Sequence, residues 1–310
     1  MKGARRHGTH QPHHPPLDPA GSGAYLDIYL NAYPAYKTLD EACREHYREK
    51  HRLELREDRQ VQTVGLFEGD VLIATMKLIL FSMNCFGRMQ TACGLMALEV
   101  HPLHKKQGAA LGDDPLLRGL RPPPRRSADA AAALPDLLYR RMGYALRGSS
   151  TSTICHAVLP KPDGEARRHL RLLQPEDFDR VLACHSRFAA QNHGMVEKFE
   201  EEVRAARTDI QVRRIGYCAD DGTLRGYVAY RFESASDTNY TRNRLSVEEL
   251  VYDDGVVLRA LLGALKLQED LAQTVLLRTG EEDFHHLLED PQDSPVTTST
   301  TASCKPTSPP

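Results

Sequence analysis

The sequence predicts a mixed α/β fold in which mostly antiparallel sheets are flanked by helices. Alternating apolar runs joined by Gly-containing turns predict hairpins at 61–81 and 210–232. Each hairpin is followed by a further strand, at 91–100 and at 245–252, and each half contains predicted helices. Because the order helix, hairpin, strand, helix, strand occurs twice, the 310-residue chain is expected to contain two similar domains.

The first half is expected to begin with a helix at 40–55, which has helical composition and spacing. The hairpin strands 61–67 and 71–81 are separated by the turn Glu68-Gly69-Asp70. The second half repeats this pattern with the predicted elements strand 170–172, helix 178–188, hairpin strands 210–217 and 224–232, strand 245–252, helix 256–267 and strand 274–278.

The charge balance gives no reason to expect a nucleic-acid or membrane partner, since 40 Lys and Arg face 42 Asp and Glu. The longest apolar run, 71–81, is interrupted by Thr75 and Lys77, so no membrane span is predicted. The basic N-terminus is not followed by an apolar region and does not resemble a secretory signal. A cytoplasmic location is therefore expected.

Seven cysteines, an odd number without C-x-x-C spacing, predict reduced thiols and neither a disulfide framework nor a zinc site. No metal ligand set is predicted elsewhere, because the His-rich and Pro-rich segment 1–22 is better interpreted as a disordered tail. A nucleophilic Cys mechanism is an alternative at Cys155-His156 or Cys184-His185. Adjacent residues on a strand point to opposite faces, which argues against such a dyad at these pairs.

The chemically most informative segment is the end of the strand 91–100 and the loop after it. A short Pro-containing turn leads from this strand into Lys105-Lys106-Gln107-Gly108-Ala109-Ala110. Small residues let a backbone approach phosphates closely, and the N–H groups of such a loop, with the dipole of a following helix, cradle a pyrophosphate. The two lysines add positive charge. A solvated basic loop is the alternative interpretation.

This segment resembles the acetyl-CoA motif of the GNAT acyltransferases, with Lys105 at the position of the usual Arg or Gln, and with Gly108 and Ala110 at the small-residue positions. More narrowly, it resembles the Eis-type N-acetyltransferases, whose later Y-x-R-x-G-Y segment is similar to residues 139–144. The resemblance extends from about Tyr25 to Pro291. It implies tandem GNAT domains at 23–150 and 165–291.

The resemblance implies that acetyl-CoA is the acyl donor and that a primary amine is the acceptor. It also implies that Tyr139 is the general acid, with Tyr144 as the competing aromatic position. The donor-binding residues implied by the family motif are Leu98, Glu99, Val100, Lys105, Lys106, Gln107, Gly108, Ala109, Ala110 and Leu111. The first three would offer backbone groups to the pantetheine arm, and the loop would surround the pyrophosphate.

The acceptor and the general base are less well specified. In the family the acceptor is an aminoglycoside-like polyamine or a peptide lysine. Aromatic and Met side chains that could line its pocket are Tyr25, Tyr29, Tyr33, Tyr36, Met83 and Phe86, for which core packing is the alternative. In Eis-type enzymes the C-terminal carboxylate of a third, sterol-carrier-like domain is the base. That domain is not expected here, so Glu99 or a water chain is left as the candidate general base.

The second domain is expected to lack the donor site. Its strand-to-helix junction reads Tyr252-Asp253-Asp254-Gly255-Val256, and two carboxylates at this position would repel a pyrophosphate. This matches the central domain of the Eis-type proteins.

Two segments depart from the family pattern. Residues 112–134 contain three consecutive prolines where a helix and a strand are expected, and compensating frameshifts or a lineage-specific loop would each explain this. Residues 292–310 are rich in Ser, Thr and Pro and are expected to be a disordered tail. These departures support a second hypothesis, a truncated and inactive remnant. Hexamers occur in the family, so a homo-oligomer is one assembly that the resemblance implies.

Overall fold

The computed structural model of the protein describes residues 16–17, 23–32, 39–57, 60–105, 128–132, 145–155, 158–161, 163–239, 242–279, 284–289 and 296–305. The chain divides into two compact units. Unit 1 comprises Met1–Phe81, Thr91–Ala145 and Ser303–Pro310, and unit 2 comprises Ser82–Gln90 and Leu146–Ala302. Unit 2 thus includes residues 82–90 of the first half as well as the second half of the sequence.

The described residues of unit 1 form two helices and a sheet with the strand order β1-β2-β3-β4. Strands β1 and β2 pair in antiparallel fashion, whereas β3 and β4 are parallel. The elements in chain order are α1 (Gly23–Ala32), α2 (Glu41–Glu57), β1 (Val61–Glu68), β2 (Val71–Cys85), β3 (Arg88–Val100) and β4 (Ala128–Ala132).

The core of unit 1 forms where α1 packs near the hairpin β1–β2. Tyr25, Leu26 and Ile28 of α1 are buried together with Leu72 of β2. The apolar residues Tyr25, Leu26, Ile28 and Leu30 are buried, and this burial is the main stabilising contribution that the helix makes. The hairpin turn has its left-handed residue at Gly69, with φ of 62°, as the sequence predicts.

Unit 2 is an α/β layer structure with the strand order β11-β5-β10-β9-β8-β7-β6. Strands β9 and β10 are parallel, and the pairs β5–β10, β8–β9, β7–β8 and β6–β7 are antiparallel. The elements are β5 (Ala145–Cys155), α3 (Gly164–His169), β6 (Leu170–Leu172), α4 (Phe178–Gln191), α5 (Glu200–Thr208), β7 (Arg213–Cys218), β8 (Leu224–Ser234), β9 (Asn243–Tyr252), α6 (Gly255–Lys266), β10 (Thr274–Thr279) and β11 (Val296–Lys305).

The central strand β8 shows how both faces of this sheet are covered. Val228 and Tyr230 belong to the apolar cluster around α6, whereas Tyr227 and Ala229 belong to a separate cluster around α4. Successive side chains of a strand point to opposite faces, so the uninterrupted apolar run of β8 follows from burial on both sides. The sheet of unit 2 therefore lies between α6 and α4.

The mixed α/β class and the antiparallel character of the sheets are confirmed. Six helices and strands were not anticipated: α1, β4, β5, α3, α5 and β11. Strand β4 is the described part of the atypical segment 112–134, and β11 lies in the Ser/Thr-rich segment 292–310, so their composition does not exclude regular structure there. The predicted tail 1–22 lies outside the described residues except for Pro16 and Leu17, which run beside β1.

Candidate functional site

The C-terminal end of β3 is irregular at the place where the donor segment was predicted. The parallel ladder between β3 and β4 covers Ala92–Leu95 paired with Ala128–Ala131. Ala97 follows with φ of 52°, a left-handed conformation that is uncommon for any residue other than Gly. Such irregularities bend a strand and re-aim its side chains and backbone, and they are common next to active sites.

A compact turn connects β3 to the predicted phosphate loop. The backbone N–H of His101 donates to the carbonyl of Ile73 at 2.8 Å, which holds the end of β3 against β2. The His101 imidazole then accepts the N–H of Leu103 at 3.3 Å and caps a 3₁₀ turn, Pro102–His104. Lys105 leaves this turn in an extended conformation with an exposed side chain. The path from β3 to Lys105 is therefore held by one backbone hydrogen bond and by the His101 side chain.

The predicted donor residues separate into two groups. Leu98, Glu99, Val100 and Lys105 are described, and they follow one another along β3 and the turn. Leu98 and Val100 are half-buried, whereas Glu99 is only 2% exposed and points to the opposite face. The remaining residues named for the site lie outside the described residues: Lys106, Gln107, Gly108, Ala109, Ala110, Leu111 and Tyr139.

Substituting Ala97 by Gly is expected to stabilise the protein by about 0.5–1 kcal/mol, because Gly adopts a positive φ without the steric penalty of a Cβ atom. The β-branched Ala97→Val substitution is expected to destabilise the protein. Chemical denaturation of the three proteins measures both effects. Equal stability of the Gly and Val variants would show that Ala97 is not left-handed in solution.

A buried polar network lies behind the donor segment in unit 1. The Tyr25 hydroxyl is 3.1 Å from Nε2 of His51, and the other ring nitrogen of His51 is 2.9 Å from the carboxylate of Glu54. Lys77 of β2 donates to the same carboxylate at 2.6 Å. This geometry favours the tautomer in which His51 accepts from Tyr25 and donates to Glu54. Glu99 accepts a bond from the Thr75 hydroxyl at 3.3 Å.

The electrostatics of this network follow from its burial. Burial is the largest effect on Tyr25, and together with the negative charge of Glu99 it raises the pKa of the phenol. Burial also lowers the pKa of His51, so the imidazole is neutral at pH 7. Burial alone would raise the pKa of Glu54, but the hydrogen bond from His51 and the charge of Lys77 lower it to about 2. The charged members are thus Glu54 and Lys77.

At the corresponding junction in unit 2, an aspartate side chain already bonds the N–H groups at the start of the helix. Asp254 precedes α6, and its carboxylate accepts the N–H groups of Val256 and Val257, both at 3.0 Å. These N–H groups are the ones that a phosphate would need at a helix N-terminus. Arg225 pairs with Asp254 at 2.6 Å, and it compensates the charge of the capping carboxylate. The carboxylate of Asp254 therefore provides the hydrogen-bond acceptor for the free N–H groups at the start of α6.

The described side chains that were considered as a Cys nucleophile or as the lining of the amine pocket mostly pack against other side chains. Burial raises the pKa of Cys184 to about 11, so this cysteine is a protonated core thiol and not a nucleophile. His156, of the other Cys-His pair, lies outside the described residues. Among the residues considered for the amine pocket, Tyr25 and Met83 are buried, Tyr29 packs against Tyr47 and His51, and Phe86 stacks on His193.

Within the described ranges, no cluster of three or more His, Cys, Asp or Glu side chains is arranged to hold a metal ion. In the same part of the chain, no helix combines the length and the apolar character that crossing a membrane requires.

The architecture and the sequence both lead to one class of fold. Residues 193–306 match the family profile described as acetyltransferase (GNAT) domain. The chain has the mixed α/β fold of the GNAT acetyltransferases, since solved structures of that class superpose on almost all of it. The profile match lies in the second half of the sequence, whereas the predicted donor loop lies in the first. A search of curated proteins finds no match.

Three solved structures show the extent of this similarity. A probable N-acyltransferase from Enterococcus faecalis V583 has a TM-score of 0.71 at 16% identity and covers 94% of this chain and 72% of its own. A GCN5-related N-acetyltransferase from Kribbella flavida has a TM-score of 0.67 at 19% identity, with 94% and 71% coverage. Eis1 from Mycobacterium abscessus has a TM-score of 0.61 at 22% identity, with 78% and 64% coverage. At these identities the comparisons establish the fold.

Sequence reasoning did not find the buried network or the left-handed Ala97. One signal for the network was present, because Lys77 interrupts the apolar run of β2 and a lone Lys there needs a buried partner. His51 and Glu54, three residues apart on α2, are such partners. For Ala97 the sequence carries no signal, since Gly or Asn would be the usual residue at a positive φ.

Proposed function

We propose that this protein is an N-acetyltransferase that moves the acetyl group of acetyl-CoA to a primary amine, and that unit 1 carries the reaction. The observation that supports this most is the end of β3. The ladder with β4 ends there, and Ala97 has a left-handed backbone conformation. A 3₁₀ turn capped by His101 then connects β3 to Lys105. The family profile and the shared fold make acyl transfer from an acyl-CoA the reaction class to test.

The donor is proposed to bind along β3 and the loop after it. Beyond Leu95 the described ladder with β4 ends, so the backbone of Leu98–Val100 is the segment proposed to bond the amides of the pantetheine arm. Lys105, Lys106 and the small residues up to Leu111 would surround the pyrophosphate. The exposed side chain of Lys105 suits this role, because it supplies a positive charge at the entrance to the loop.

The proposed chemistry is direct attack in a ternary complex. The amine nitrogen attacks the thioester carbon, the C–N bond forms, and the C–S bond of the donor breaks. The leaving thiolate takes a proton from the phenol of Tyr139, whose ordinary pKa near 10 keeps it protonated at pH 7. The amine nitrogen loses a proton to water or to a carboxylate.

The structure limits how Glu99 can serve as that carboxylate. Its side chain is buried on the face of β3 opposite to Leu98 and Val100, next to Thr75 and Tyr25. A proton from the amine would have to reach it through water or through another side chain. The acceptor class is proposed to be a polyamine, an aminoglycoside-like amine or a peptide lysine. The cytoplasmic location and the homo-oligomer stay predictions.

A transfer assay tests this function against the hypothesis of an inactive remnant. The full chain is incubated with acetyl-CoA and, separately, with spermidine, an aminoglycoside and a lysine-containing peptide, and free CoA thiol and acetylated amine are both measured. Acceptor-dependent thiol release with matching acetylated product supports the proposal. Absence of product with every amine, in a chain that melts cooperatively, would favour the remnant.

A further inference from the structure

Unit 2 contains a polar groove at the edge of its sheet where β6 is the last described strand, and the reaction proposed for unit 1 does not use it. This edge groove has a volume of about 730 Å³, within the usual range of small-molecule sites. It lies between α3, β6, the start of α4 and the turn that joins β7 to β8. The charged side chains that line it are Glu165, Arg168, Arg171, Asp177, Arg180 and Asp220, and His169 lies beside them.

One of the three arginines is already engaged within the protein. Arg180 donates to the carboxylate of Asp177 at 2.6 Å and to the carbonyl of Gly222 at 2.5 Å. The backbone N–H of Gln174 donates to the same carboxylate at 3.0 Å, and this bond, together with the Arg180 guanidinium, lowers the pKa of Asp177. The two charges of this pair therefore compensate each other, and the pair joins the start of α4 to the β7–β8 turn as one wall of the groove.

The other two arginines keep hydrogen-bond donors for a ligand. Arg171 donates to the carbonyls of Arg168 and Leu170 through the single nitrogen Nη1, and no carboxylate of the described residues pairs with it. Arg168 pairs with Glu165 at 3.1 Å, but the two side chains are 72% and 80% exposed, so this pair contributes little. Because a guanidinium group carries five N–H donors, each of these two arginines can bind a carboxylate of a ligand.

His169 adds a hydrogen-bond acceptor of known orientation. Its Nδ1 atom lies 3.0 Å from the carbonyl oxygen of Cys218, and a carbonyl only accepts, so Nδ1 carries the hydrogen. In the neutral ring Nε2 is then an acceptor. The ring also stacks on Tyr217, with a centroid distance of 5.0 Å, and its side chain is 17% exposed. The imidazole is therefore held in place, and its Nε2 can accept a hydrogen bond from a ligand hydroxyl.

The remaining carboxylates do not make the groove favourable for a cation. The side chains of Glu165 and Asp220 are 80% and 99% exposed, so water and salt screen both charges. Asp177 is compensated by Arg180. The charge of Arg171 is thus not offset at short range by any carboxylate of the described residues, and a cation would have to approach three arginines.

From this combination we infer that the edge groove is a ligand site for a small dicarboxylate that carries a hydroxyl group, of the 2-hydroxy-acid type. The two carboxylates bond the guanidinium groups of Arg168 and Arg171, and the hydroxyl donates to Nε2 of His169. The compensated pair of Asp177 and Arg180 holds the wall opposite the ligand. This inference does not depend on the reaction proposed for unit 1.

Binding of L-malate, followed at the ring of His169, tests the inference. The full chain is labelled with ¹⁵N-histidine, and the ring signals of His169 are assigned by their absence in His169→Gln. At about pH 8 and constant ionic strength, L-malate should shift these signals in a saturable way, with the largest change at Nε2. No saturable shift with up to ~10 mM L-malate, which would reveal a Kd of about 1 mM, overturns the inference.

Two other anions show which chemical groups the site recognises. Succinate has the same two carboxylates and lacks only the hydroxyl, so it should bind about fivefold or more weakly than L-malate, the difference that one hydrogen bond makes. Inorganic phosphate, the probe for a site that takes any anion, should also bind more weakly than L-malate. Equal binding of L-malate and succinate, or tighter binding of phosphate, would contradict the inference.

Matched variants locate the site. Arg168→Gln and Arg171→Gln each remove one guanidinium group and should weaken L-malate binding by about tenfold or more. Arg167→Gln removes the same charge at the neighbouring exposed position of α3, outside the groove lining, and should leave binding nearly unchanged. Gly108→Glu should also bind L-malate normally, which separates this site from the donor site. Equal weakening by all three arginine variants would indicate general charge attraction and would contradict the inference.

Discussion

Substituting Lys77 by Met is expected to lower the free energy of unfolding by about 3–5 kcal/mol, because it leaves the carboxylate of Glu54 buried without its cationic partner. Both side chains are less than a tenth exposed, so water cannot replace the lost interaction. Methionine is close in length and apolar, which limits the change in packing. Urea denaturation at pH 7 measures the effect.

Two further variants separate the charge from other causes. Arg52→Met breaks an exposed pair with Glu49 on the same helix and should change stability by no more than about 1 kcal/mol. Adding Glu54→Gln to Lys77→Met removes both charges and should recover part of the loss. A Lys77→Met protein as stable as the Arg52→Met protein would show that the pair is not buried in solution.

The same pair predicts a pH dependence. The pKa of Glu54 lies below its ordinary value of 4.5, at about 2, so its stabilising contribution is present above about pH 4.5 and is lost as the pH falls toward 2. His51 acts in the same direction, because its pKa is also lowered and the unfolded chain binds the proton more readily. The Lys77→Met variant, which lacks the cation, should therefore lose less stability on acidification than the unmodified protein.

Substituting Tyr139 by Phe is expected to lower kcat by about 10²–10⁴-fold, because the departing thiolate loses its proton donor. The substitution removes one oxygen and leaves the donor loop unchanged, so the affinity for acetyl-CoA should stay the same. Steady-state kinetics with a saturating amine, and a separate titration with acetyl-CoA, measure the two quantities. The phenylalanine variant should also lose the alkaline limb of the pH–rate profile.

Tyr144→Phe is the matched control, since Tyr144 belongs to the same segment and is the competing aromatic position. Its kcat should remain close to that of the unmodified protein. If Tyr144→Phe lowers kcat and Tyr139→Phe does not, Tyr144 is the general acid. If neither changes kcat, a thiolate that leaves without enzymatic protonation becomes the better account.

Much of the fold could be predicted because the sequence marks the elements of both halves. Alternation and turn residues identified the hairpins, and the left-handed Gly69 and Gly222 lie in their turns as expected. The acidic junction before α6 was also identified, and the structure adds that Asp254 caps the helix through two N–H groups. Such local signals depend on residues close in sequence.

The features that were not predicted depend on distant residues or on unusual composition. Helix α1 is mostly apolar, and Asp27 and Asn31 form only a narrow polar face, so the usual pattern of an amphipathic helix is weak in its sequence. Strand β4 consists of alanines and one aspartate, which have low strand propensity, so pairing with β3 determines its conformation. The network of Tyr25, His51, Glu54 and Lys77 joins residues from two helices and a strand.

The two units suggest a division of roles within one fold. In each, a central strand becomes irregular where its parallel ladder ends, at Ala97 in unit 1 and at Glu248 in unit 2. The segments that follow differ in charge, since Lys105 and Lys106 follow β3 whereas Asp253 and Asp254 follow β9. This difference explains why a phosphate-containing donor is proposed for unit 1 and not for unit 2.

The central claim is that unit 1 binds acetyl-CoA, and the most direct test is the melting temperature of the full chain with and without acetyl-CoA. Ligand at ~100 times its Kd should stabilise the protein by roughly 2.7 kcal/mol and raise the melting temperature. The shift should disappear in Gly108→Glu and persist in Gly255→Glu, which places the same charge at the corresponding junction of unit 2, where an added Cβ meets no atom within 4 Å. No shift in the unmodified protein, or its loss only in Gly255→Glu, would contradict the account.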